Sequence, residues 1–202
     1  MSIVLLVEGG TERALTDKIK EFLDQRAEAH GLPRIALQTR KIKSINPDAL
    51  GRQIELQLQT PGITAVVGLI DVFPKFRNAG EAKNFLRRTA NKAGVTQGFY
   101  AHAAQYDVEA WLLPYWEDIC RHVGVKQGSP SGNPEQVNDI RPPSYHLKDL
   151  YQRAKPPHKY VKTTEMPAIL KNKDLTISAN ACPELKSLLN TLLTLSDLPL
   201  LP

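Results

Sequence analysis

The chain opens on an apolar run, Ser2 to Val7, that stops on Glu8, turns through Gly9-Gly10 and gives way to apolar residues at helical spacing. No other feature restricts the fold as sharply. An unbroken apolar run of this length suits a strand covered on both faces, as in a parallel sheet. Thr11 marks a helix start, and Ala14, Leu15, Ile19, Phe22, Leu23 and Ala27 recur with helical period until Gly31-Leu32-Pro33 ends the pattern. Strand, glycine turn and helix follow one another within the first 33 residues.

The alternation continues. Arg34 to Arg40 alternates through Ile35, Leu37 and Thr39, the pattern of a half-buried or edge strand. Asn46-Pro47 supplies an N-cap and a first-turn proline, and Leu50, Ile54 and Leu58 form a helical stripe that stops at Thr60-Pro61-Gly62. Ile63 to Ile70 is a second apolar run, and it too ends on a carboxylate, Asp71. Glu81 to Ala93 sets Ala82, Phe85, Leu86 and Ala90 against a basic flank of Lys83, Arg87, Arg88 and Lys92. A fourth short strand is expected over Gly98 to Ala103, then a helix capped by Asp107 that runs through Val108, Trp111, Leu112 and Leu113 and is kinked or ended by Pro114. Four strands alternating with helices predict a three-layer α/β domain over residues 1–123 with a mainly parallel, four-stranded sheet. From Gly124 to Pro143 the texture is that of a long loop. Short helices are expected at Tyr145 to Arg153, Thr164 to Lys171 and Pro183 to Leu195, with Leu198 to Pro202 frayed or latched to the core. Residues 124–202 therefore read as a loop-rich, helical C-terminal extension packed on the same domain.

The 202 residues are 42% apolar, enough for one substantial core. No run approaches the roughly 18 apolar residues of a membrane span, and no basic leader precedes Ile3, so a cytoplasmic protein away from membranes is expected. Cys120 and Cys182 lack metal-ligand spacing and read as reduced, structural thiols. The net charge of +5 suits an anionic partner such as nucleic acid. Basic residues gather at Lys75 to Lys92 and from His146 to Lys173, although a solvated surface accounts for either run alone.

Ligands of parallel sheets collect beyond the carboxyl ends of the strands, and Glu8 and Asp71 both stand there. If their strands are neighbours, the two side chains can share Mg²⁺ or Mn²⁺, which prefer hard carboxylate oxygens. Glu12, one turn into the first helix, can lean back to the same point, and Glu109 arrives from the fourth strand-helix junction. The plainer alternatives are a helix-dipole partner for Glu8 and a turn residue for Asp71. Gly9-Gly10 permits close approach of a ligand, but the Lys-Ser/Thr of a phosphate loop and the spaced glycines of a dinucleotide fingerprint are missing.

Val7-Glu8-Gly9-Gly10-Thr11-Glu12, the strand ending in Asp71, and His102 with Glu109-Ala110-Trp111-Leu112-Leu113 together resemble the Toprim-type nucleotidyl-transfer and nuclease fold. More closely, the chain resembles a family of small Toprim-like proteins often encoded beside ABC-type ATPases and linked by analogy to OLD-family nucleases. Pro143-Ser144, Leu147-Lys148, Tyr160, Lys162 and Ala181-Cys182-Pro183 extend the resemblance over nearly the whole chain. It implies that Glu8 is the acid/base glutamate and Asp71 the first aspartate of an Asp-x-Asp metal pair. Phe73 stands where the second aspartate would be, which implies one-metal or weak binding, with Glu12 and Glu109 compensating.

The activity expected is phosphodiester hydrolysis dependent on Mg²⁺ or Mn²⁺, on DNA or RNA, in phage defence with an ATPase partner. Glu8, Asp71 and Glu109 are the expected metal ligands, and Glu8 is alternatively a general acid toward the leaving oxygen. Lys148 and Lys162 are expected at the substrate phosphates and Tyr160 beside them, stacking or hydrogen-bonding. Gly9, Gly10, Arg87, Arg88 and His102 complete the expected substrate path, while Trp111 reads as a core anchor. The alternative is a regulatory or adaptor subunit with a degenerate site that docks on an ATPase. A non-nucleic phosphoester is a third possible substrate.

Overall fold

A computed structural model describes residues 2–9, 12–136 and 141–202, with the backbone alone at 12–14. Four strands, β1 (Ser2–Val7), β2 (Ala36–Lys41), β3 (Ile63–Asp71) and β4 (Phe99–Ala104), form one sheet in the order β2-β1-β3-β4. Every pairing is parallel. Helices α1 (Glu12–Ala29), α2 (Pro47–Leu58) and α3 (Ala79–Lys92) connect successive strands. The connections from β1 to β2 and from β3 to β4 run outward in opposite directions, so the order of winding reverses between β1 and β3. That reversal opens a crevice at the carboxyl ends of the two strands.

Local chemistry sets the helix starts. Asn46 Oδ1 accepts from Asp48 N at 3.0 Å and Ala49 N at 3.2 Å, and Pro47 occupies the first turn, where its missing N–H costs nothing. At α3, Asn78 Oδ1 accepts from Glu81 N at 2.9 Å while Glu81 Oε2 accepts from Arg77 N at 2.8 Å.

Strand alternation divides the interior in two. Val4, Leu6, Val66, Ile70, Ala101 and Ala103 face α2 and α3, packing on Leu50, Ile54, Ala82, Leu86 and Ala90. Ile3, Leu5, Val7, Val67 and Leu69 face α1 and, beside it, the C-terminal helices. These are α4 (Trp116–Val123), α5 (Pro143–Gln152), α6 (Lys162–Leu170), α7 (Leu175–Ala181) and α8 (Pro183–Thr194). In α8, Leu185, Leu188, Leu189, Leu192 and Leu193 are all fully buried. At about 2 kcal/mol for each leucine taken out of water, this one helix contributes on the order of 10 kcal/mol of gross burial. Leu198 and Leu201 are buried, and Leu201 N donates to Asn190 Oδ1 at 2.9 Å, so the last residues are latched rather than frayed.

Two expectations need correction. Asp107 does not cap the next helix with its side chain, because its carboxylate is engaged by the start of α5 instead. The segment it precedes, Val108–Tyr115, is a 3₁₀ turn with Pro114 inside it, and α4 follows directly. The proline has no N–H for the helix ladder, which favours the tighter, shorter winding.

Candidate active site

Glu8 follows β1 and Asp71 closes β3, and the adjacent parallel register sets them side by side at the crevice. Glu8 Oε2 accepts from Asp71 N at 3.3 Å, while Glu8 Oε1 pairs with Lys75 on the turn after β3. Asp71 Oδ1 in turn accepts from Val108 N at 3.1 Å. That bond ties the end of β3 to the segment beyond β4.

The chain reaches that segment through a sharp reversal. Val72 N donates to Ala104 O at 3.0 Å and Phe73 N to Tyr106 O at 2.7 Å, and Tyr106 takes a left-handed backbone with φ of 65°. A buried aromatic residue in that region carries about 1–3 kcal/mol of strain, which the surrounding packing must overcome. The reversal folds Asp107 and Glu109 back under the extension. Both are closed off from water, at 4% and 0% exposure. Asp107 Oδ2 accepts from Ser144 N at 3.3 Å, and Glu109 Oε1 lies 2.6 Å from Lys162 Nζ at the start of α6. Asp107 Oδ1, Glu109 Oε2 and the Tyr160 hydroxyl are buried without a hydrogen-bond partner among the described residues.

The electrostatics follow from burial. Desolvation, reinforced by the Asp107 charge, raises the Glu109 carboxyl to about 7, with Lys162 working against the rise. Desolvation raises Asp107 as well, and the Ser144 hydrogen bond, Lys162 and Lys148 oppose it. Burial alone would pull the Lys162 ammonium down, but Glu109, Asp71 and Asp107 outweigh it, so Lys162 is held charged. Burial, then Glu109, also raises the Tyr160 phenol, which stays protonated. One lysine thus stands in the field of three carboxylates. Such a cluster can accept a proton near neutral pH, bind a cation, and present an ammonium to an anion.

The other expected residues scatter. Lys148, exposed on α5, lies over the Tyr145 ring at 5.0 Å, with its charge felt at Asp107, so it stands at the rim of the cluster. Gly9 lies on the turn after β1. Gly10 lies outside the described residues, as does the Glu12 side chain, although Glu12 begins α1. Arg87 and Arg88 are exposed on α3, against the other face of the sheet, and Arg87 donates to Asn84 Oδ1 at 3.1 Å. His102 sits within β4 with Nε2 3.0 Å from Thr191 Oγ1 on α8, and its charged neighbours are Lys83 and Arg87. Burial, with those two charges behind it, lowers His102 to about 4, so the ring is neutral. The structure therefore gathers Glu8, Asp71, Glu109, Lys162 and Tyr160, sets Lys148 at the edge, and leaves Arg87, Arg88 and His102 elsewhere.

Three members of the cluster do not emerge as site residues from the sequence reading. Asp107 reads as a helix cap, Lys75 as one of a basic run, and Ser144 acts through its backbone, which no sequence pattern displays. The signal for Asp107 was its spacing, since Asp107-Val108-Glu109 places two acids just past a strand.

The donor set suits a hard divalent cation: all carboxylate oxygens, two of them buried and lacking a proton donor. Among the described residues, however, no three His, Cys, Asp or Glu side chains stand close enough to hold a metal as they are. Lys162 and Lys75 take up Glu109 and Glu8.

A family model described as a domain of unknown function, DUF4276, matches residues 7–193. No curated protein matches the chain. Two solved structures of the C-terminal region of the Xanthomonas campestris pv. campestris OLD protein, phased with iodine and with mercury, are similar at TM-scores of 0.44 and 0.43. They share 15% and 16% identity with it, and each alignment covers 93% of this chain and 95% of that one.

Proposed function

We propose that the chain, which belongs to the DUF4276 family, hydrolyses phosphodiester bonds in DNA or RNA with the help of Mg²⁺ or Mn²⁺. One observation carries the reading: Asp71, Asp107 and Glu109 surround Lys162, with Glu8 bonded to the Asp71 backbone beside them, where the winding of the sheet reverses. Glu8, Asp71 and Glu109 would hold the metal, with Glu12 as a further candidate. When bound, the metal supplies a Lewis acid at the phosphate and an acidified water.

The remaining roles belong to side chains of this chain. Lys162 and Lys148 neutralise the phosphate and the charge that builds as the nucleophile attacks. Glu8, where it does not hold the metal, is suited to give a proton to the leaving oxygen. Tyr160 offers its unpartnered hydroxyl to a substrate oxygen. Gly9 and Gly10 let the backbone approach the phosphate, and Arg87 and Arg88 extend the basic surface to more distant phosphates. An ABC-type ATPase partner and a role in phage defence accompany the Toprim-like resemblance and are part of the same proposal.

The test is incubation of the chain with supercoiled DNA and with RNA, in Mg²⁺, Mn²⁺ or EDTA, alone and with a candidate ABC-type ATPase partner. Cleavage that EDTA abolishes and Glu8→Gln loses is expected. Equal product from both chains, or cleavage indifferent to EDTA, overturns the reading.

A second reading, an adaptor subunit with a degenerate site, is favoured by Phe73, 44% exposed where an aspartate would complete the metal pair, and by the lysines already paired with Glu8 and Glu109. It predicts no cleavage under any of these conditions and a changed ATP hydrolysis rate in the partner.

A further inference from the structure

We propose, resting on the nucleic-acid reading above, that the site takes a single strand rather than a duplex, with unpaired bases stacked on Phe73 and Tyr145 and the phosphates between them held by Lys148 and Lys162. Two rings that the hydrolytic roles leave unused become the part of the site that grips bases.

The placement of the two residues is the first argument. Phe73 lies on the turn after β3 and Tyr145 in the first turn of α5, yet both are anchored on one dipeptide. Phe73 N donates to Tyr106 O at 2.7 Å, and Ser144 N, next to Tyr145, donates to Asp107 Oδ2 at 3.3 Å. They therefore border the segment that carries Glu109 to Lys162. Their exposure is 44% and 52%. A single exposed ring needs no explanation, but two that border one crevice do.

The charge around the rings is the second argument, and it selects the occupant. Lys148, exposed one helical turn beyond Tyr145, holds its Nζ 5.0 Å from the centre of that ring. Lys75 is exposed two positions after Phe73, and Lys155 and Lys159 are exposed on the strap that leads into Lys162 at the start of α6. A protein partner calls for an apolar patch from which charge is depleted, whereas rings interleaved with cations match a strand in which bases alternate with phosphates. A duplex keeps its base faces stacked inside, so the cations would hold its backbone while the rings met nothing. A single strand offers a base face to each ring and sets the adjoining phosphate beside Lys148.

The test is fluorescence anisotropy with the full chain in EDTA, where metal-dependent cleavage does not intervene. The probes are a labelled strand of about twelve nucleotides, the same strand annealed to its complement, and a strand of that length made of abasic sites. The single strand should bind about tenfold more tightly than the duplex, and Phe73→Ala and Tyr145→Ala should each weaken it about tenfold while leaving duplex and abasic binding unchanged. Phe73→Tyr and Tyr145→Phe, which keep a ring, should retain the affinity of the wild type. Equal affinity for strand and duplex, unaltered in both alanine variants, would overturn the stacking site and leave the nuclease reading standing. Alanine variants that hold the strand as the wild type does but no longer alter ATP hydrolysis in a candidate ABC-type ATPase would overturn it in favour of a protein-docking face. No binding of any nucleic acid, in EDTA or in Mg²⁺, would overturn both the stacking site and the nuclease reading.

Discussion

The acid cluster beyond β4 and the basic flank of α3 beside it carry opposite charge and are built in opposite ways. The flank is contiguous in sequence, and all of its cations but Lys83 are exposed. Two of its four cations serve packing, with Lys83 2.8 Å from Glu184 of α8 and Lys92 2.8 Å from Asp48 of α2. Asp71, Asp107 and Glu109 come from two separate strand ends, the last two are buried, and all three share one lysine from a third region of the chain. The more conspicuous charge in the sequence thus holds helices together, whereas the dispersed charge forms the site. Burial makes the difference, because a charge removed from water interacts over longer range and costs more to leave unpaired.

The comparison breaks most visibly at Lys162. Lys162→Gln strands Glu109 in the interior and should cost about 3–5 kcal/mol of unfolding free energy at pH 8, measured by denaturant titration. The loss should shrink below pH 6, where Glu109 carries its proton. An equally small loss at both pH values would mean that the cluster is no more buried in effect than the flank.

Next comes His102, which lies under the basic flank. Its folded value of about 4 is below its ordinary 6.5, so the unfolded chain binds the extra proton. Its contribution is present above pH 6.5 and disappears as pH falls through 4, a change of about 3 kcal/mol. His102→Gln, which keeps a polar group near Thr191, should flatten that part of the stability-pH curve. Asp71→Asn should reduce metal-dependent cleavage by at least about a hundredfold, whereas Arg88→Ala should reduce it only a few-fold and mainly at low salt. Comparable losses in the two variants would place the flank inside the chemistry. The smallest effects belong to the flank's own ion pairs. Lys83→Met at the half-buried pair should cost about 1 kcal/mol, and Lys92→Ala, where both partners are exposed, should leave the melting temperature essentially unchanged, each read from thermal melts.

Much of the fold was legible because the information was local. Apolar runs marked the strands, and Asn46-Pro47 and the α3 stripe marked helices that the structure contains. What escaped was short or depended on distant contacts. The seven-residue α7, capped by Asp174 through Thr176 N at 2.9 Å, is too brief to show periodicity. The α-helix expected after Asp107 became a 3₁₀ turn, since its cap had been recruited by Ser144, 37 positions away. Of the site, Glu8 and Asp71 could be inferred because both close apolar strands, Glu109 because it arrives from the fourth strand-helix junction, and Lys162 could be named from the resemblance. The pairing of Glu109 with Lys162 could not be inferred from local pattern, because the two lie 53 positions apart with two helices between them.

The sequence alone determined which segments become strands and helices, since hydrophobic period, caps and breakers act over a few residues. It also determined that acids stand at strand ends. Only the tertiary structure decided that these ends adjoin. The reversal of winding between β1 and β3, and the return of the C-terminal helices over the same face, convert positions remote along the chain into one desolvated cluster. Burial, which depends on every element packed around a side chain, then sets the charge that each acid carries.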